Sequence, residues 1–70
     1  MRYIIIGWTK KTSTEPRRVV YFDGYDWCDN VSEARIYVNT EEFPKREWLH
    51  TSEIDRVFKM KVSFGAVEEV

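Results

Sequence analysis

The stretch Val19–Phe43 (VVYFDGYDWCDNVSEARIYVNTEEF) constrains the fold of this chain most. Its first residues complete an apolar, β-branched run that predicts a strand over Arg17–Phe22, because such residues fit a pleated, half-buried surface. Asp23 and Gly24 then predict a tight turn, since glycine accepts positive φ and an aspartate side chain bonds its own backbone. After an acidic, aromatic segment, Ala34–Val38 predicts another strand.

The flanking segments complete an expected order of strand, strand, strand, helix, strand. Arg2–Thr9 is apolar on both of its alternating faces, which is typical of a central or well-covered strand. The polar segment 10–16 then predicts the long loop of an antiparallel hairpin with Arg17–Phe22. In Ile54–Phe64, apolar and basic residues alternate with a period of two, which indicates a half-solvated antiparallel strand.

A helix start is predicted where Asn39 or Thr40 can act as the cap. With Asn39 at the cap, Glu42 takes the capping-box position. The residue before Pro44 resists α-helical geometry, so the regular helix is expected from Pro44, after a leading turn over 39–43. It should end near 51–52, and a helix this short needs packing on the sheet to be stable.

These elements predict an α+β fold, with a small antiparallel sheet of about four strands and one short helix on one face. The expected domain is single and spans 1–70, with a frayed acidic tail at 66–70. A chain of 70 residues buries only about 60% of its unfolded surface. Three Trp, four Tyr and four Phe therefore have to supply much of the core. The sheet face opposite the helix is expected to be partly open to water or a partner.

Charge and cysteine content narrow the class of protein. Eleven basic and twelve acidic residues give a net charge of −1, unlike a dedicated nucleic-acid binder or an acidic DNA mimic. Cys28 is the single cysteine, which permits no internal disulfide and favours a reducing, cytoplasmic setting. Met1 leads straight into a strand pattern, and no apolar run approaches the roughly 20 residues that span a bilayer. We therefore expect neither a secretory signal nor a membrane partner.

Candidate metal ligands are sparse. Asp23, Asp26 and Asp29 recur at every third residue, and clustered carboxylates are what calcium prefers. Their spacing does not match an EF-hand loop, so turn carboxylates are the favoured interpretation. Cys28 and His50 are the only soft ligands, and two residues cannot close a zinc site or complete a nucleophilic triad. No metal site is predicted.

Cofactor motifs and catalytic groups are also missing from the pattern. Gly7, Gly24 and Gly65 are isolated, so the sequence contains no glycine-rich phosphate loop. Without an acid–base pair or a nucleophile in a suitable context, we predict a protein without catalytic residues or a cofactor, and hence no enzyme.

The segment after the Asp23-Gly24 turn is the first candidate binding surface. Aromatic residues next to carboxylates are typical of protein-binding hot spots. This surface is predicted to consist of Tyr25, Asp26, Trp27, Asp29 and Glu33. In the alternative, which the sequence leaves open, both rings fold back over the sheet edge and protect it from aggregation.

The first hairpin supplies the second candidate, a nucleic-acid surface. Antiparallel pairing would bring its basic residues to one end beside a tryptophan, where they could hold phosphates and stack on a base. The residues are Trp8, Lys10, Lys11, Arg17 and Arg18. Because the chain is not basic overall, a solvated hairpin tip is the favoured interpretation.

A pattern of turns and strands covers about half of the chain, in the order Tyr21-Phe22-Asp23-Gly24, Trp27, Asn30, Glu33-Ala34-Arg35-Ile36-Tyr37 and Thr40-Glu41-Glu42-Phe43. It resembles many short phage and prophage proteins, in which a "W…N…EA…Y/F" segment leads into a short helix and a final strand. Some phage proteins of this size are anti-CRISPR or other anti-defence inhibitors. The resemblance implies phage origin and host cytoplasm, and carries no catalytic residue. Pro44 departs from the smooth helix of such proteins.

Three functional hypotheses follow. The first is a phage-type accessory protein that binds and inhibits a host protein, such as a defence component, through the aromatic-acidic surface or the open sheet face. The second is a small nucleic-acid-binding module that uses the basic hairpin. The third is a homodimeric structural module, paired by an edge or a face, so the protein is expected to be a monomer or a homodimer.

Overall fold

A computed structural model describes residues 2–63 and 66–69 of the chain. They form one antiparallel sheet with the strand order β3-β2-β1-β4-β5. The strands are β1 (Arg2–Thr9), β2 (Val19–Phe22), β3 (Trp27–Cys28), β4 (Ile54–Ser63) and β5 (Ala66–Glu69).

The helical elements are short and follow β3. Two 3₁₀ turns, Val31–Glu33 and Thr40–Glu42, precede a single α-helix, α1 (Arg46–Leu49). An antiparallel sheet with one short helix confirms the predicted α+β class. Within the described ranges no helix is long and apolar enough to cross a membrane.

β1 is the central strand, as its two apolar faces predicted. It pairs with β2 on one side and with β4 along its whole length on the other. Ile5, near its middle, has no solvent-exposed surface. Burial on this scale stabilises the fold by roughly 2–3 kcal/mol for a large aliphatic side chain.

The predicted strand Ala34–Val38 was wrong. In this segment only Tyr37 pairs with the sheet, through an isolated bridge to Tyr3. The segment is confined between two 3₁₀ turns whose first backbone N–H groups are bound by the side chains of Asn30 and Asn39. Those caps favour turns over an extended run, and Trp27–Cys28 forms the third strand instead.

The helix begins at Arg46, two residues after the predicted start at Pro44, and is shorter than predicted. The Asn39 side chain accepts hydrogen bonds from the N–H groups of Glu41 and Glu42, at 3.0 and 3.2 Å. Phe43 leaves the helical region (φ −62°, ψ 135°) because it precedes Pro44. The leading turn is therefore confirmed, whereas α1 ends at Leu49 and not near residues 51–52.

The frayed tail predicted for 66–70 was also wrong over most of its length. Ala66–Glu69 pairs with β4 in the register Ser63↔Ala66 to Met60↔Glu69. The free backbone edge of β4 supplies hydrogen-bonding partners for this segment. The acidic composition, from which fraying was predicted, gives no sign of that pairing. Residues 64, 65 and 70 lie outside the described part of the chain.

The core lies on one face of the sheet, here called the covered face. Ile5, Phe22, Tyr37 and Leu49 form its buried cluster. Half-buried rings and a valine pack around this cluster, namely Tyr3, Trp27, Phe43 and Val57. Tyr3 and Tyr37 each meet Phe43 edge-on, with ring centroids 5.8 and 5.4 Å apart. Aromatic side chains therefore compensate for the small size of the domain.

The alternation predicted in β4 is present, with its lysine side turned to the covered face. Directly paired residues share a face, so Val57 (opposite Gly7) and Lys59 (opposite Ile5) lie on it. The Lys59 ammonium lies 5.2 Å from the centroid of the Phe43 ring. The apolar side of β4 consequently points to the other face of the sheet.

Gly7→Ala tests the close approach that the core requires. A Cβ at Gly7 would lie 2.8 Å from Cζ3 of Trp27, so the substitution should destabilise the fold by about 1–3 kcal/mol through overpacking. Urea unfolding measures this change in the free energy of unfolding.

A double-mutant cycle gives the control. In a Trp27→Leu background the clash is absent, so Gly7→Ala should cost much less there. An equal cost in both backgrounds would show that the ring does not lie over Gly7.

Candidate functional site

The turn after β2 presents Tyr25 to solvent. The Asp23 side chain accepts hydrogen bonds from the N–H groups of Tyr25 and Asp26, both at 2.8 Å, and the Asp23 N–H donates to the Asp26 carbonyl. Gly24 adopts a φ of 104°, which glycine alone tolerates readily. Tyr25 is 95% exposed on this hydrogen-bonded turn. Its ring is thus presented on an ordered backbone.

The Trp27 side chain, in contrast, is half-buried against the sheet. Its ring lies against Phe22, with centroids 5.4 Å apart, and over the backbone of Gly7. Its indole nitrogen Nε1 is buried and has no hydrogen-bond partner among the described residues. Each of the two alternatives that the sequence left open therefore holds for one ring. Tyr25 is exposed to solvent, whereas Trp27 folds back and packs on the core.

Part of the predicted protein-binding surface surrounds a small cleft. The cleft has a volume of about 190 Å³ and lies between the β2–β3 side of the covered face and the segment before β4. Its lining includes Asp26, Trp27 and Asp29, together with Arg18 and Glu53. Carboxylates outnumber the guanidinium around it, and Arg18 is within 3.4 Å of Asp29.

Glu33 does not join this cleft. It is exposed and closes the first 3₁₀ turn, where its N–H donates to the Asn30 carbonyl. The structure therefore brings Asp26, Trp27 and Asp29 together and leaves Tyr25 and Glu33 outside the cleft lining.

The predicted basic surface is partly neutralised. Arg17 forms an ion pair with Asp55 at 2.6 Å, and Arg18 lies next to Asp29. Trp8 is 37% exposed, and β-strand alternation places it on the sheet face opposite Gly7 and the cleft. Both arginines thus have acidic neighbours within the protein, and Arg18 lines the cleft on the side of the sheet opposite the tryptophan.

Sequence reasoning foresaw an open sheet face but assigned no residues to it. Ile6 and Trp8 on β1 share this face with Phe58 and Met60 on β4, because direct cross-strand partners point the same way. The described residues that form the core cluster all lie on the other side. The apolar residues on both faces of β1 could have identified Ile6 and Trp8 as part of this face.

Cys28 and His50 have separate places in the fold. The Cys28 thiol donates to the Tyr21 carbonyl at 3.2 Å, and His50 follows the end of α1. No group of three or more His, Cys, Asp or Glu residues in the described ranges is arranged to hold a metal ion.

The hydrogen bonds of the turn shift the pKa of the Asp23 side chain. Hydrogen bonds from the backbone of Asp26, and then of Tyr25, lower the pKa of Asp23 from its ordinary value of 3.8. These donors stabilise the ionised carboxylate, which confirms Asp23 as a turn residue.

Comparison of the chain with protein-family models, with curated proteins and with solved structures found no match.

Asp23→Asn tests the charge contribution of the turn. The folded-state pKa of Asp23 is lowered, so its stabilisation is complete above the unfolded-state pKa and is lost as the pH falls through the folded value. Asparagine keeps an acceptor oxygen but does not titrate. The stability advantage of the wild type over Asp23→Asn should shrink between about pH 6 and about pH 2. Urea unfolding at several pH values measures it, and a pH-independent difference would contradict this account.

Proposed function

We propose that this chain is a small, non-catalytic accessory protein that binds and inhibits another protein through the surface around Tyr25. Full exposure of a large aromatic side chain on an ordered turn is the observation that carries the proposal. Tyrosine gives a binding surface large contact area at low cost in side-chain entropy. A turn that is already fixed in the free protein further reduces the ordering cost of association.

The charge around Tyr25 defines the kind of partner. Asp26 and Asp29 line the neighbouring cleft with Glu53, while one guanidinium, that of Arg18, lies among them. A basic surface on the partner would complement this charge and speed the encounter. The partner we propose therefore has a pocket for Tyr25, flanked by lysine or arginine side chains.

The resemblance of half the chain to short phage proteins suggests the setting. A phage-encoded protein of this kind would act in the cytoplasm of the host cell, where a component of a defence system is a suitable target. Occlusion of a basic functional surface on such a target requires a binding surface only, without catalytic groups on the inhibitor.

Tyr25→Ala is the direct test. Tagged protein is incubated with nuclease-treated and untreated host lysate, and captured proteins are quantified by mass spectrometry. Specific partners should be lost by at least about tenfold in Tyr25→Ala, as expected for an interfacial hot spot, while circular dichroism stays unchanged.

Trp48→Ala is the matched control. Trp48 is also an exposed aromatic residue, at 68%, but it lies on α1 and away from the β2–β3 turn. It should leave capture intact. Partners retained equally by Tyr25→Ala and the wild type would contradict the proposed surface, and partners lost only after nuclease treatment would favour a nucleic-acid-mediated function.

A further inference from the structure

We propose that the Asp23–Gly24 linkage is a site of spontaneous isomerisation to isoaspartate and that the folded turn between β2 and β3 suppresses the reaction. The reactants are the side-chain carboxyl group of Asp23 and the backbone nitrogen of Gly24, and water is the only co-reactant. This dipeptide occurs once in the chain. Because the reaction alters only the covalent structure of the turn, it does not depend on whether Tyr25 binds a partner.

The reaction passes through a cyclic succinimide. The Gly24 nitrogen attacks the carbonyl carbon of the protonated Asp23 carboxyl group, the C–O bond to the hydroxyl breaks, and the hydroxyl leaves with the amide proton as water. Water then adds to either carbonyl of the ring and breaks one C–N bond, with no net change in atoms or electrons. Addition at one carbonyl restores aspartate, and addition at the other gives isoaspartate. Since glycine has no Cβ, Gly24 hinders the attack less than any other residue would.

Solvent reaches this turn, so burial does not protect it. Asp23, Gly24 and their neighbours up to Asp26 are exposed. The Tyr25 side chain within the turn is 95% exposed. Protection against the reaction therefore has to come from the conformation and the charge of the turn.

Hydrogen bonds fix the Asp23 side chain and the backbone around it. One carboxylate oxygen, Oδ1, accepts from the N–H groups of Tyr25 and Asp26, both at 2.8 Å, and the Asp23 N–H donates to the Asp26 carbonyl at 2.9 Å. The Arg35 side chain packs against Gly24, with its Cδ 2.7 Å from the position that a Cβ would take. Ring closure needs the carboxyl carbon within bonding distance of the Gly24 nitrogen, so we expect it from conformations in which these contacts are broken.

Charge adds to this restraint. The backbone N–H groups of Asp26, and then of Tyr25, lower the pKa of the Asp23 carboxyl group from its ordinary value of 3.8, because they stabilise the ionised form. The carboxylate lacks the hydroxyl that has to leave. At about pH 5, the carboxyl group of an unfolded chain is protonated in roughly 6% of molecules, and that of the folded turn in fewer.

Isoaspartate formation in the folded and the unfolded chain tests the proposal. The full chain is incubated at about pH 5, in buffer and in about 6 M guanidinium chloride, and residue 23 is analysed by peptide mapping with mass spectrometry. Isoaspartate at this position should form at least about tenfold more slowly in the folded chain, because only the open fraction of turns reacts. Incubation in heavy-oxygen water marks each passage through the succinimide with a labelled oxygen.

Two variants serve as controls. In guanidinium chloride, Gly24→Val should lower isoaspartate formation, since a β-branched side chain hinders attack by its own backbone nitrogen. Asp23→Asn forms the same succinimide with loss of ammonia and has no carboxylate, so it separates conformation from charge. Its deamidation should also be at least about tenfold slower in the folded chain, because asparagine keeps an oxygen that can accept the two hydrogen bonds.

Amide hydrogen exchange of Tyr25 and Asp26 measures the opening of the turn in the unmodified protein. Both N–H groups donate to Asp23, so their exchange should be slowed at least about tenfold relative to the unfolded chain. Isoaspartate formation should be suppressed by at least the same factor, since it requires the same opening and also a protonated carboxyl group.

Three outcomes would overturn the proposal. The absence of isoaspartate at residue 23 in the unfolded chain would remove the site. Equal rates of formation in the folded and the unfolded wild type would remove the protection. Deamidation of Asp23→Asn that folding does not slow, in a variant with unchanged circular dichroism, would show that the hydrogen bonds of the turn do not restrain the reaction.

Discussion

The central strand β1 is apolar on both faces, and in the described part of the chain the buried cluster of Ile5, Phe22, Tyr37 and Leu49 lies on one of them. Ile5 is fully buried beneath Leu49 and Tyr37, while Ile6, one residue later, faces the other way. Gly7 lets the Trp27 ring close over the covered face, where a Cβ would meet it at 2.8 Å. This single-sided packing determines which rings are part of the core and which surfaces are left for binding.

The turn that presents Tyr25 and the opposite face of the sheet differ in physical character. Tyr25 stands on a turn whose backbone donors are bound by Asp23, next to carboxylates, so it suits a basic partner that is met from solution. On the opposite face of the sheet, apolar side chains such as Ile6 and Phe58 pair directly across β1 and β4.

Local signals predicted much of the fold. The alternation in Ile54–Phe64 and the capping by Asn39 depend on neighbouring residues, and both were recognised from the sequence. The strand Ala34–Val38 was wrong because two asparagine caps compete with pairing there, and the acidic tail was wrong because β4 offers it a free edge. Which face the helix covers is a non-local choice, so the burial of Trp27 and the placement of Phe58 and Met60 on the open face could not be predicted.

Nuclear Overhauser contacts of the Leu49 methyl groups test this single-sided packing most directly, whatever the oligomeric state. The account predicts contacts from Leu49 to Ile5 and to the rings of Phe22 and Tyr37, which share its cluster. It predicts none to Phe58 or Met60 within the same chain, because they lie on the opposite face. Intramolecular contacts from Leu49 to Met60, without contacts to Ile5, would show that the helix covers the other side and would contradict the account.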